Sequence, residues 1–275
     1  MPLPAGRFVW PLTLATVLVA GCSGTAKSPG GTRERSASRS GEADRTGAGG
    51  RTGTGAAAGA AETFRPDAAR LPETRAAARD LISRVIAGPD SFGAPVVRRS
   101  PYESDPATWP VLGEKCDWRQ RRPADSVLAT LTRSFEVPAE RGKGPLRLTA
   151  VVTVHRSDQD AAWEMAESIE ESMRCPTQRL RAGETISSLV SAALLRGEMD
   201  QTNSDDALTE TGRYHSSELG GPHYYSWHQG RVLRFTFAVS GKGAKGRTDR
   251  EVDQLTVQAY STMLVRLGSA VGKRG

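Results

Sequence analysis

Leu146 to Cys175 reads LRLTAVVTVHRSDQDAAWEMAESIEESMRC, and the order of signals within it decides the fold class. Residues 146–154 are β-branched and largely apolar, the composition of a strand. Ser157-Asp158-Gln159-Asp160 follows, a serine N-cap with an acid three places on, which opens a helix. Helical spacing puts Ala162, Met165, Ala166, Ile169 and Met173 on one face, the expected inward one, and Cys175-Pro176 stops the helix.

Further strand and helix signals extend in both directions. Residues 126–137 form another strand-like run, and 73–87 form a helix with Leu81, Ile82, Val85 and Ile86 inward, ended by Gly88-Pro89. Downstream, 186–195 (ISSLVSAALL) fits a strand or a helix, and 200–212 reads as a polar loop. Strands are expected near 222–228 and 231–239, joined as a hairpin at Gln229-Gly230. Thr248-x-x-Glu251 caps a last helix reaching about Leu267, with Val252, Leu255, Ala259, Met263 and Leu267 inward. Adjacent strands joined by long polar connections predict an α+β fold: a single domain with an antiparallel sheet packed by helices, all on one face. That domain covers 64–275, and no internal repeat is evident.

The N-terminus is of another kind. Arg7 precedes the apolar run FVWPLTLATVLVA (residues 8–20), long enough for a signal segment and too short to span a bilayer. It ends in Val19-Ala20-Gly21-Cys22, which resembles the bacterial lipobox: small residues fit the peptidase cleft, and the thiol receives the lipid. The usual leucine three places before the cysteine is Val19 here. The resemblance implies a lipoprotein signal peptide over 1–21, lipidation at Cys22 and a partner that is the membrane itself, since two or three acyl chains anchor stably where one does not. The protein is then expected on the extracytoplasmic face of the cell membrane.

Residues 23–63 contain no aromatic residue and no aliphatic larger than alanine, so they cannot bury enough apolar surface to order themselves. With Cys22 they make a disordered Gly/Ser/Ala/Arg linker over 22–63, a tether of about 40 residues with a root-mean-square span of roughly 30–40 Å. The chain's formal charge is +6, of which Arg7 carries one and the linker a net two, leaving about +3 on the domain. No Lys/Arg cluster is interleaved with aromatics, so nucleic acid is not an expected partner.

With Cys22 committed to lipid, Cys116 and Cys175 remain. Outside the cytoplasm such a pair usually becomes a disulfide, here closing a loop of about 60 residues. The other arrangement is two buried thiols; two cysteines alone do not make a metal site.

The cysteine followed by Asp117-Trp118, two strands, the helix HRSDQDAAWEMA…MRC, then YYSWHQGRVLRFTFAVSG and a terminal helix resemble, in that order, the PknH-like extracellular sensor domain. That family stands outside actinobacterial receptor kinases and on stand-alone lipoproteins. The likeness spans roughly 73–267 and rests on patterns rather than invariant chemistry. It implies a ligand- or partner-binding module with a central cleft and no catalytic residues. The family's domain carries two disulfides, whereas this chain can form one intramolecular pair.

Two motifs compete for a binding role. Gly241-Lys242-Gly243-Ala244-Lys245-Gly246-Arg247-Thr248 satisfies G-x-G-x-x-G and nearly fits a phosphate-binding loop. The dinucleotide fingerprint opens a βαβ unit, however, and here one helix ends the pattern, so a flexible cationic loop with a good helix cap is expected. The second is Tyr224, Tyr225, Trp227 and His228, candidates for ligand contact; alternation puts Tyr225 and Trp227 on one strand face, Tyr224 and His228 on the other. An aromatic core face with a polar outer face is the plainer expectation.

His215, His223 and His228 lack the spacing of a metal site, and Asp200, Asn203, Asp205 and Asp206 lack that of a calcium loop. Trp109, Trp118 and Trp163 are expected in the core or against the disulfide, and His155 at a strand end. No G-x-S-x-G or S-x-x-K constellation is present, and neither cofactor nor catalytic residue is assigned. The expectation is a membrane-anchored, non-enzymatic binding or sensing domain for a small ligand or an envelope component. A structural or protein-interaction role in the envelope is the alternative, and a hydrolase with a scattered site is a third.

Overall fold

A computed structural model of the chain describes residues 66–93, 95–192 and 204–273. The signal segment, Cys22, the linker, residues 193–195, Asp200 and Asn203 lie outside the described residues.

The α+β expectation holds. Among the described residues, ten strands and three α-helices follow in the order α1 (Arg75–Val85), β1 (Val97–Glu103), β2 (Trp109–Leu112), β3 (Trp118–Arg121), β4 (Val127–Val137), β5 (Leu146–His155), α2 (Asp158–Arg174), β6 (Gln178–Arg181), β7 (Glu184–Ala192), β8 (Asp206–Ser216), β9 (Gly220–Val232), β10 (Phe235–Lys242) and α3 (Asp249–Val271). Eight strands form one antiparallel sheet in the order β1-β4-β5-β10-β9-β8-β7-β6, while β2 and β3 pair as a separate hairpin.

Alternation along the central strands separates the two faces. Leu146, Leu148, Ala150, Val152 and Val154 of β5 are buried with Phe135, Phe235, Phe237 and Val239 beneath α1 and α3. Leu81, Ile82 and Val85 of α1 and all five predicted inward residues of α3 join this core. Thr149, Val151 and Thr153, on the other face of β5, look toward α2 and the β2–β3 hairpin. Helices therefore cover both faces, not one.

Both N-caps read from the sequence hold their helices, the first as a reciprocal capping box. Ser157 Oγ accepts from Asp160 N at 3.1 Å and Thr248 Oγ1 accepts from Glu251 N at 3.2 Å, each satisfying an amide that the first turn leaves open. The orientation of α2 departs from expectation. Ala161, Met165 and Ser172 are buried, whereas Met173 is 71 % and Trp163 61 % exposed. This helix lies on the polar sheet face and meets it through small and polar side chains, such as Ser172 Oγ with Ser191 Oγ at 2.5 Å. Its apolar stripe was therefore a poor guide to the buried side.

The hairpin turn also moves. Gln229 and Gly230 lie inside β9, opposite Ala238 and Phe237, and the turn falls at Leu233-Arg234. Gly230 is needed where α3 crosses, because a Cβ there would strike Tyr260 Oη and come within 3.0 Å of the Phe237 ring. The expected polar loop is strand β8 from Asp206 onward, and the ambiguous 186–195 segment is strand as far as Ala192. Pro66 bridges Gly272 and Asp67 N donates to Val271 O at 2.8 Å, so the two ends of the described domain lie side by side.

Candidate functional site

The polar face of the sheet is a cleft floor. Thr130 and Thr132 of β4, Thr149 and Thr153 of β5, Thr236 and Ser240 of β10, and Tyr225, Trp227 and Gln229 of β9 supply it. One wall is α2, presenting Glu164, Glu167, Ser168 and Glu171. The roof is the β2–β3 hairpin with Trp109, Pro110 and Trp118. Two adjoining hollows of about 280 and 110 Å³ share Trp118, Trp227, Ser168 and Glu171.

The roof is tied down from one end. Cys116 and Cys175 form the expected disulfide, joining the start of β3 to the end of α2. Trp118 Nε1 donates to Gln178 Oε1 at 2.8 Å, and Arg179 N donates to Cys116 O at 2.8 Å. Asp117, nearly buried, accepts from Arg119 at 2.8 Å and from Arg179 at 3.2 Å.

Carboxylates dominate the wall and one corner of the floor. Glu210 of β8 is buried, and Ser191 Oγ donates to its Oε1 at 2.9 Å. Burial pushes its carboxyl up to about 7 against the lowering effect of the Ser191 and Ser172 hydroxyls. Burial, then the charge of Glu167, pushes Glu171 up to about 7, with Glu210 adding to the rise and Arg174 opposing it. Glu167 is raised by burial and by the Glu164 charge. Glu164 itself is engaged: His155 Nε2 lies 2.7 Å from its Oε2, and Thr236 Oγ1 donates to the same oxygen at 2.8 Å.

The far end of the cleft holds compensated charge. Lys242 Nζ lies 3.3 Å from Glu184 Oε2, Arg147 Nη1 lies 2.6 Å from Glu184 Oε1, and Arg181 also bonds to Glu184. Burial alone would raise the Glu184 carboxyl; the Arg181 hydrogen bond and the charges of Lys242 and Arg181 override it and hold Glu184 down to about 2. Lys242 is lowered by burial, with Glu184 working against that.

The four aromatic-strand candidates divide as alternation requires. Tyr225 and Trp227 line the cleft. Tyr224 and His228 lie on the opposite face under α3, where Tyr224 Oη donates to Asp253 at 3.0 Å and the His228 ring lies 6.5 Å from that of Tyr260. Those two are packing residues, so the expected polar outer face does not form. On the other face Tyr225 is buried with Ile186, Leu189 and Tyr214 and Trp227 packs against them, as an aromatic core face requires.

The glycine motif is no phosphate loop. Arg247 is almost wholly buried, paired with Glu140 at 2.8 Å and Glu251 at 2.6 Å, and donates to the carbonyls of Gly144 and Pro138. It pins the β4–β5 turn instead of waiting for an anion. Gly241 permits helix contact, since a Cβ there would strike Val252 and come within 2.9 Å of Thr256 Cγ2. His215 and His223 bond separately to Ser187 and to Leu219 O, and Asp205 and Asp206 pair with Arg231. Among the described residues no group of three or more His, Cys, Asp or Glu could hold a metal.

Trp109, Trp118, Glu171, Glu210 and Lys242 are cleft residues that sequence reasoning did not assign to a site. One available signal was threonine at 130 and 132 and again at 149 and 153, on the strand face opposite the apolar period, which marks a face that is not core. Nothing local marked Glu171 or Glu210.

No family model and no curated protein matches the chain. Among solved structures, the extracellular domain of PknH from Mycobacterium tuberculosis is a weak and distant likeness, with 10% sequence identity and a TM-score of 0.41 over 73% of this chain and 98% of that one.

Proposed function

We propose that this protein is an extracytoplasmic, non-enzymatic ligand-binding module, sensor-like in character, held to the outer membrane face through lipid on Cys22, with its ligand seated between the β-sheet and α2. The lipobox-like segment and the apolar run before it support the anchoring. The Cys116–Cys175 disulfide accords with an oxidising compartment.

The observation that carries the binding assignment is the cleft itself. Trp109, Trp118, Tyr225 and Trp227 surround space that a protein interior would ordinarily fill, over a floor of threonines. Concave, aromatic-lined hollows with a few convergent polar groups are the usual form of small-molecule sites. A purely structural envelope role would call for a broad apolar patch; the exposed apolar residues, such as Trp163, Met173 and Val265, are dispersed over α2 and α3.

Differential scanning fluorimetry of the mature protein against a collection of envelope-derived small molecules tests the assignment, with Trp227→Ala as control. A hit should stabilise the wild type saturably and lose that effect in the variant. Identical responses from both proteins to every hit would remove the cleft from consideration.

A hydrolase is the second reading, favoured by one observation: Glu171 and Glu210 both titrate near 7 in the same cleft, the range suited to general acid–base work. Turnover abolished by Glu210→Gln would establish it.

A further inference from the structure

Resting on the ligand-binding reading, we propose that the cleft takes an organic cation, an amine or quaternary ammonium on an alkyl body. Three features converge on that class, and each excludes a different alternative.

The first is unbalanced charge along one wall of the cleft and at its buried floor. Glu164, Glu167 and Glu171 project from one side of α2, and Glu210 rises from the floor opposite, 8 % exposed. Among the described residues, no Lys, Arg or His makes an ion pair with Glu167, Glu171 or Glu210, although Glu164 has His155. The cleft's own cation, Lys242, is committed to Glu184. An anionic ligand would therefore add like charge where none is compensated, and a cation would supply the missing counter-charge.

The second is the aromatic lining. Trp118, Trp227 and Tyr225 border the same hollow as Glu171 and Glu210. Aromatic faces attract ammonium groups and also shelter their methyl or methylene bodies, most strongly where water is excluded. Carboxylates alone would suit a hydrated metal ion, but the aromatic surface offers such an ion no ligand. The third is the economy of hydrogen bonding near Glu210. Its hydroxyl partners, Ser191 and Ser172, come from the protein. A neutral polyol gains a bond from this carboxylate but leaves its charge unpaired.

The test uses the full mature chain in detergent at about pH 8.5, where the Glu171 and Glu210 carboxyls are ionised, titrated with tetramethylammonium chloride at constant ionic strength and followed by tryptophan fluorescence. Sorbitol and citrate serve as neutral and anionic probes. Saturable quenching by tetramethylammonium is expected, weakened roughly ten-fold or more by Glu210→Gln and by Trp227→Leu. It should persist in Trp163→Phe, which alters an exposed tryptophan on α2. If Glu210→Gln does not fold, Glu171→Gln takes its place.

No saturable response to tetramethylammonium up to about 100 mM, a concentration at which even very weak binding registers, overturns the inference. An unchanged affinity in both glutamine variants does so too. Citrate or sorbitol binding that depends on Trp227, without a tetramethylammonium response, overturns the cation but leaves the cleft as a binding site. Responses to all three probes that ignore Trp227, Glu171 and Glu210 remove both.

Discussion

Arg147 on β5 and Glu184 on β7 touch, guanidinium to carboxylate at 2.6 Å, although three strands of the sheet lie between them. Four steps of roughly 4.8 Å would set those strands about 19 Å apart in a flat sheet, beyond the joint reach of the two side chains. The sheet therefore curls toward its polar face, and this pair with Lys242 closes one end of the cleft that the curl creates.

Glu184 is the hub of that closure, serving Arg147, Lys242 and Arg181 with its side chain 4 % exposed. Glu184→Ala should cost about 3 kcal/mol, because it leaves largely buried Lys242 without its carboxylate and buried Arg147 with Glu218 alone. Urea unfolding at neutral pH measures this. An Arg147→Met, Glu184→Met, Lys242→Met triple variant should recover most of the loss; if it is worse than the single one, the cost lies in packing and not in charge.

Stability should fall as pH rises from about 4.5 to 7. An unfolded glutamate releases its proton near 4.5, whereas Glu210 and Glu171 keep theirs in the folded state until about 7. The folded state thus binds more protons across this window, and raising pH penalises it. For buried Glu210 the penalty at full ionisation is on the order of 3 kcal/mol. Glu184 acts at the other end, its stabilisation lost as pH falls from 4.5 toward 2. Thermal melts from pH 4 to 8 should show a shallower neutral-side decline for Glu210→Gln than for wild type. Equal slopes would mean that Glu210 is solvated.

Gly241→Ala should destabilise by about 1–3 kcal/mol, the usual cost of overpacking, since its Cβ would push against Val252 and Thr256 at the sheet–α3 contact. Ligand affinity should be untouched in the same variant, because Gly241 faces α3 and not the cleft. Chemical denaturation and a binding titration on one sample separate the two effects.

Reducing the Cys116–Cys175 bridge should lower stability by roughly 4 kcal/mol, given a sequence separation of 59 residues. The β2–β3 roof should loosen first, since its hydrogen-bonded ties, the Asp117–Arg179 bridge and the Trp118–Gln178 bond, sit beside that cysteine, while its other end meets β5 through the Trp109–His155 ring contact. Hydrogen exchange with and without reductant should show 109–121 gaining exchange ahead of β5.

Where a strand buried one apolar face under helices, the sequence showed it. β4, β5 and the inward residues of α3 carry the apolar period and were read at nearly their observed positions, while β10 was placed about four residues early because the turn was assigned to Gln229-Gly230. Strands β8, β7 and β1, which lack a regular apolar period, were missed or left ambiguous. β8 turns Leu208, Glu210, Gly212 and Tyr214 toward one face, and two of those four break the hydrophobic period. β7 carries a bulge between Ser187 and Val190, which interrupts alternation and leaves Val190 63 % exposed. β1 is an edge strand of arginines and a proline. The cleft itself was invisible because it assembles from residues on nine elements, and among the site candidates only Tyr225 and Trp227 belong to it.

The bridge between Pro66 and Gly272 makes this domain a nearly closed ring of chain. A short peptide joining those positions, with the chain opened at the Glu140–Lys143 turn, should give a circular permutant that keeps every strand pairing of the main sheet. New termini would then emerge beside Arg247, and the order in which strands leave the ribosome would be rewritten without altering the cleft they build.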